Sequence, residues 1–191
     1  MESLKKKIKE EGQVHGEDVL KVESFLNHQM DVRFFEEIGA EIRKRYEGER
    51  IDKILTVEAS GIGISCVVSR HLDYAPVVFA KKAAPNTMAE GYYSEEAKSF
   101  TKGVVSNLRV AKTFINEGER ILIVDDFLAN GEAATALVKM ARKAGAEVVG
   151  VTAVIEKGFQ PGAQRLRDMG CRVESLVVIK GFENGKVIFE D

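Results

Sequence analysis

The densest chemistry in the chain lies in Ile121-Leu122-Ile123-Val124-Asp125-Asp126-Phe127-Leu128-Ala129-Asn130-Gly131-Glu132-Ala133-Ala134. Four apolar residues read as a buried strand, two carboxylates end it, and a turn of small residues runs into a helix. Open α/β sheets bind ligands at the carboxyl ends of their strands. A strand-to-helix turn there aims free backbone N–H groups and the positive helix end at one point, which suits a phosphate. Ala129 and Gly131 are small enough to let a phosphate reach the backbone. Asp125 and Asp126 can accept hydrogen bonds from sugar hydroxyls or help position Mg²⁺. The plainer alternative is that both acids cap the helix, although a cap needs only one.

A second glycine site is Val57-Glu58-Ala59-Ser60-Gly61-Ile62-Gly63-Ile64. A dinucleotide fingerprint needs a third glycine where Cys66 stands, so that reading is poor. Backbone amides at a strand-to-helix turn still suit an anion, with an empty tight turn as the alternative. Phe79-Ala80-Lys81-Lys82 ends a further strand with two cations. They could neutralise a departing anion or form a solvated surface pair. Taken alone, Asn27 reads as a turn residue and Lys157 as a surface lysine.

Other chemistries are excluded by what is missing from the pattern. His15, His28 and His71 are scattered and none has a metal-ligand spacing. There is no G-x-S-x-G elbow and no G-x-x-x-x-G-K-[ST] loop. Cys66 and Cys171 are too few for a disulfide framework and too isolated for a zinc cluster. Carboxylates, amides, lysines and glycine loops remain.

These residues need a scaffold, and the apolar pattern supplies one. Helices are expected at 2–11, at 34–46 on the spacing of Phe34, Phe35, Ile38, Ile42 and Tyr46, at 62–72, at 132–144 and at 163–169. A short extended piece around 19–22 lies between the first two. Strands are expected at 51–58, 76–80, 108–114, 121–124, 148–156 and 173–179. The polar stretch 81–103 reads as a long loop, which in a compact domain is more often a functional lid than idle coil. Apolar strands separated by helices argue an α/β class with a mainly parallel central sheet covered on both faces. A length of 191 residues favours one domain. The net charge of −2 gives no electrostatic case for nucleic acid. No apolar run approaches the roughly 20 residues of a membrane span, and the opening Met1-Glu2-Ser3-Leu4-Lys5-Lys6-Lys7 lacks the apolar core of a secretory signal. A cytoplasmic protein with no membrane partner is the expectation.

The 121–134 segment resembles the phosphoribosyl pyrophosphate (PRPP) motif of the type I phosphoribosyltransferases. It departs from the commonest form at Phe127 and at Asn130, where Thr or Ser is frequent, which marks a subfamily. Phe25-Leu26-Asn27-His28-Gln29 and Glu156-Lys157-Gly158-Phe159-Gln160-Pro161-Gly162 extend the likeness over essentially the whole chain, toward the bacterial xanthine phosphoribosyltransferases. The resemblance implies one phosphoribosyltransferase domain over 1–191, with 1–50 and C-terminal segments forming a small N-terminal hood. It implies that Asp125 and Asp126 hold the ribose hydroxyls as catalytic residues. Ala129, Asn130, Gly131, Glu132 and Ala133 would cradle the 5′-phosphate of PRPP. Ala59, Ser60, Gly61, Ile62 and Gly63, with Lys81 and Lys82, would receive pyrophosphate. Leu20, Asn27 and Lys157 would contact the purine, Asn27 and Lys157 by donating to the carbonyl oxygens of xanthine, with Phe159 as a stacking candidate or a core residue. Mg²⁺ would travel with PRPP rather than on protein ligands, the 81–103 loop would close over the site, and the protein would be a homodimer in purine salvage.

Two alternatives remain open at this point. A transcription regulator of the same fold would use PRPP as an effector, but such regulators carry a basic DNA-binding module, and only about fifty residues precede the first core strand. The PRPP motif also cannot separate xanthine from guanine, hypoxanthine, adenine or orotate; the surroundings of Asn27 and Lys157 carry that choice.

Overall fold

The structure, a computed structural model, describes residues 1–16, 18–83, 91–99 and 104–190. Helix α1 spans Glu2–Glu11, and the strands β1 (Gln13–His15) and β2 (Val19–Lys21) form a small hairpin after it. A π-helical turn, Glu23–Asn27, leads to α2 (Val32–Arg45), whose first turn is capped by Asp31 accepting from the Phe34 N–H at 3.1 Å. Then follow β3 (Lys53–Val57), α3 (Ser60–His71), β4 (Val77–Ala83), β5 (Tyr92–Ser99) and β6 (Val104–Ala111). The chain continues through β7 (Arg120–Leu128), α4 (Glu132–Lys143), β8 (Glu147–Lys157), α5 (Gly162–Asp168), β9 (Val173–Glu183) and β10 (Lys186–Phe189).

Eight strands make one sheet in the order β10-β9-β8-β7-β3-β4-β6-β5. Its centre, β9 to β4, is parallel; β10, β6 and β5 add antiparallel pairs at the two edges. Every residue of β3 is buried, as expected of a strand covered on both faces. Side chains alternate across the sheet. Ile54 and Leu122 join a core with α1, α2 and α3, while Leu55 and Ile123 join a second core with α4 and α5. The N-terminal segment is tied to the far end of the chain, since the Met1 ammonium donates to the Leu176 carbonyl at 2.8 Å.

The expected loop 81–103 needs correction. Its first residues continue β4, and Tyr92–Ser99 is a strand paired with β6. The half of β5 that faces the protein includes Glu95, which pairs with Lys143 and, at 3.9 Å, with Lys139 of α4. A carboxylate in an inward position hid the alternation. The lid reading of 84–90 and 100–103 lies outside the described residues. β1 and β10 were also absent from the sequence expectation.

Strand order decides where function can sit. From β3 the chain steps through α3 to β4 on one side, whereas β7 steps through α4 to β8 and through α5 to β9 on the other. The connections therefore diverge between β3 and β7, the place where open α/β sheets leave a crevice.

Candidate active site

The carboxyl ends of β8, β7, β3 and β4 lie side by side and carry Lys157, the Asp125–Asp126 pair, the 59–63 loop and Lys81–Lys82 in that spatial order. Segments up to about a hundred residues apart in sequence thus face one crevice. Asp125 Oδ1 accepts the Asp126 backbone N–H at 2.9 Å. Although some of Asp125 reaches solvent, its carboxyl is surrounded closely enough that desolvation pushes its pKa well above the ordinary carboxylate range. The neighbouring Asp126 charge pushes the same way, and Lys82 partly opposes it. A ligand that brings hydrogen-bond donors to this pair is therefore favoured.

Ala59 and the first turn of α3, residues 60–63, form a turn that reaches Asp125. A Cβ on Gly61 would stand 2.1 Å from Thr56 Oγ1 and 3.3 Å from Asp125 Oδ1, so only glycine allows the approach. The Glu58–Ala59 peptide is cis, and Glu58 Oε1 accepts the Lys82 backbone N–H at 2.5 Å, linking this loop to the end of β4. Helix α3 starts at Ser60, two residues earlier than its sequence pattern indicated. Lys81 and Lys82 are exposed, and the Lys81 ammonium lies 6.0 Å from the Phe79 ring centre.

On the other side, Gly131 takes a left-handed φ of 75° as the residue preceding α4. Its Cα carries no room for a side chain: a Cβ would come within 2.8 Å of Gly162 Cα. Gly162 in turn donates its N–H to the Ala129 carbonyl at 3.0 Å. The first turn of α5 thus backs the 129–131 turn and leaves its other side to the crevice. Glu132 is paired with Arg165 of α5, so the acid in this helix's first turn is held by a cation.

The N-terminal segment brings Asn27 to the acids. Asn27 Nδ2 donates to Asp126 Oδ2 at 3.3 Å. Because a carboxylate only accepts, the amide must face it nitrogen-first, leaving Asn27 Oδ1 buried and without a partner. This differs from the expected donation to a base carbonyl: as placed, Asn27 offers an acceptor, suited to a ring N–H. Leu20 is buried in the core shared by α1, α2, α3 and that face of the sheet, and Lys157 Nζ donates to the Asp18 carbonyl at 2.7 Å. Partial burial lowers the Lys157 pKa, with the Asp18 charge opposing. Phe159 is 43% exposed and meets Phe182 edge-on at 5.8 Å, so the core role considered for it is not what it has.

A family model described as a phosphoribosyl transferase domain matches residues 22–183. That span contains the acidic pair, both glycine loops, Asn27 and Lys157. The chain belongs to the phosphoribosyltransferase family. Xanthine phosphoribosyltransferase 1 of Clostridium perfringens is 52% identical to it over 190 residues, covering 100% of both chains. The xanthine phosphoribosyltransferase of Clostridium novyi is 52% identical over 191 residues, again covering 100% of both. Among solved structures, adenine phosphoribosyltransferase of Rhodothermus marinus matches with a TM-score of 0.74 at 22% identity, over 94% of this chain and 100% of that one. Adenine phosphoribosyltransferase of Thermoanaerobacter pseudethanolicus gives 0.67 at 26% identity, over 78% and 82%. The fold is the type I phosphoribosyltransferase fold, with its mostly parallel sheet flanked by helices.

Three features of this phosphoribosyltransferase site escaped the sequence reading. Gly162 stands in the 156–162 stretch with no role of its own until the 129–131 turn is packed on it. The Asn27–Asp126 contact joins two residues that no local pattern relates. Thr56 looks like any strand residue, and only its position under Gly61 sets it apart.

Proposed function

We propose that this phosphoribosyltransferase moves the 5-phosphoribosyl group from PRPP to a ring nitrogen of xanthine, giving xanthosine 5′-monophosphate and pyrophosphate in purine salvage. The observation that carries the choice of base is the end-to-end likeness, at 50% or 52% identity, to relatives named for xanthine in three Clostridium species. The crevice geometry supports the reaction type.

In this reading the bond from the sugar carbon to pyrophosphate breaks as the base nitrogen approaches, and positive charge develops on the ribose ring. Asp125 and Asp126 hold the ribose hydroxyls and place negative charge beside that ring. The turn 129–133 holds the 5′-phosphate at the N-terminus of α4, while 59–63, Lys81 and Lys82 receive pyrophosphate. Fixing both phosphate ends holds the sugar in register, so positioning and electrostatics supply much of the rate. Water must be kept out, because it would intercept the cationic sugar.

Among the described residues no group of three or more His, Cys, Asp or Glu could hold a metal. Two carboxylates are nevertheless hard oxygen donors of the kind Mg²⁺ accepts, and they fit a cation carried in on substrate phosphates. Bound there, Mg²⁺ would neutralise charge on the leaving pyrophosphate. The same reading takes 1–191 as one domain with a hood from 1–50 and C-terminal segments, acting as a homodimer in the cytoplasm. The Met1–Leu176 contact ties the N-terminus to the central sheet, and two free cysteines suit a reducing compartment. Light scattering at assay concentration tests the dimer.

Leu20, Asn27 and Lys157 form the base side. A hydrogen bond involving a charged group contributes about 1.5–3 kcal/mol, so Lys157→Ala is expected to cost roughly tenfold or more in kcat/KM for xanthine. Adenine lacks the carbonyl oxygens, so any residual adenine activity should change much less. The wild type, Lys157→Ala and Asn27→Ala are compared on xanthine, guanine, hypoxanthine and adenine at saturating PRPP with Mg²⁺. A damaged PRPP site depresses all bases equally, whereas a damaged base pocket changes their ratio. Wild-type preference for adenine, or proportional loss on every base in both variants, would remove the xanthine assignment and leave the phosphoribosyl transfer standing.

A further inference from the structure

Thr56 of β3 is fully buried, and its hydroxyl oxygen has no hydrogen-bond partner among the described residues. An unpaired buried hydroxyl is destabilising, and valine would occupy nearly the same volume without that penalty. Among the described residues no group pairs with the hydroxyl and so explains the choice of threonine. Position does. The would-be Cβ of Gly61 meets both Thr56 Oγ1 and Asp125 Oδ1, so hydroxyl, loop glycine and acid converge on one point at the β3–β7 divide. Asp125 Oδ1 has the Asp126 backbone N–H as a donor, and a carboxylate oxygen can accept more than one.

We propose that Thr56 is a positioning residue for phosphoribosyl transfer: when the 59–63 loop engages pyrophosphate, the Thr56 hydroxyl donates to the Asp125 carboxylate and fixes it toward the ribose. The inference rests on the reading of Asp125 as the ribose acid. Thr56 touches no substrate. It acts through Asp125, with Gly61 shaping the space between them, and so ties the acid's orientation to the turn at the start of α3. The unpaired Thr56 hydroxyl gains a partner in this arrangement.

The test is Thr56→Val beside Thr56→Ser, measured for kcat, KM for PRPP and thermal melting. Thr56→Val is expected to lower kcat roughly ten- to a hundredfold, the scale of one hydrogen bond to a charged group. Its KM for PRPP should stay within about threefold, and it should melt no lower than wild type. Thr56→Ser, which keeps the hydroxyl, should restore kcat to within about threefold of wild type. Should the valine variant fail to fold, Thr56→Ala read against Thr56→Ser carries the same comparison. In an Asp125→Ala background, which removes the acceptor, the valine substitution should cost kcat almost nothing further, because coupled residues are non-additive. Unchanged kcat in Thr56→Val, a serine variant as slow as the valine one, an effect confined to KM for PRPP, or full additivity with Asp125→Ala would each overturn the proposal. Wild-type inactivity with PRPP on every base would instead overturn the reaction assignment.

Discussion

Asp125→Asn is expected to melt at a higher temperature than wild type at neutral pH while its kcat falls roughly 30- to 1000-fold. The rate loss corresponds to about 2–4 kcal/mol, the scale of removing one preorganised electrostatic group from a transition state. The stability gain comes from the same carboxylate. Burial and the Asp126 charge raise the Asp125 pKa in the folded protein, so the folded state holds that proton more tightly than the unfolded chain does. Wild-type stability therefore declines as pH rises from the unfolded carboxylate value, about 3.9, through the raised folded value. Above that window the whole penalty is present, and the amide escapes it while keeping an oxygen for the Asp126 N–H. The melting difference between variant and wild type should be largest at neutral pH and shrink toward acid. Thermal melts across that range and single-turnover rates with saturating PRPP measure both halves. A variant that turns over normally would remove Asp125 from the chemistry; one that melts lower at every pH would contradict the strained acid pair.

How much of this was legible in the sequence depends on the range of the signal. The central strands could be read because continuous apolar runs such as Ile121–Val124 mark a strand covered on both faces. The acidic pair could be read because both carboxylates are consecutive and stand between such a run and a small-residue turn. β5 could not, since Glu95 faces inward and is paired with lysines of α4, roughly forty-five residues away. The β9–β10 hairpin did carry a local sign, the Asn184–Gly185 pair that both take positive φ, 51° and 72°. The orientation of Asn27 was out of reach, because its amide is set by a carboxylate 99 residues further on. Contacts of this kind depend on how the N-terminal segment meets the sheet, and no periodicity reports that.

Gly131→Val should weaken PRPP binding by about a hundredfold or more and destabilise the fold, and Gly170→Val separates the two effects. Both glycines have φ of 75°, a region that costs a side-chain-bearing residue about 1–2 kcal/mol. A Cβ at Gly170 meets nothing within 4 Å, so that variant reports backbone strain alone. At Gly131 a Cβ lies 2.8 Å from Gly162 Cα and 3.1 Å from Gly162 O, backbone atoms that cannot swing aside. The 129–131 turn must then move off α5, breaking the Gly162 N–H bond to the Ala129 carbonyl and turning the phosphate-facing amides away. Each hydrogen bond to a charged phosphate is worth about 1.5–3 kcal/mol, so losing two of them accounts for the expected affinity loss. Thermal melts and equilibrium PRPP titrations on both variants give the comparison. Gly131→Val should melt below Gly170→Val, and only Gly131→Val should lose PRPP. If the two variants bind PRPP equally well, the turn before α4 is a packing joint with α5 and not the seat of the 5′-phosphate.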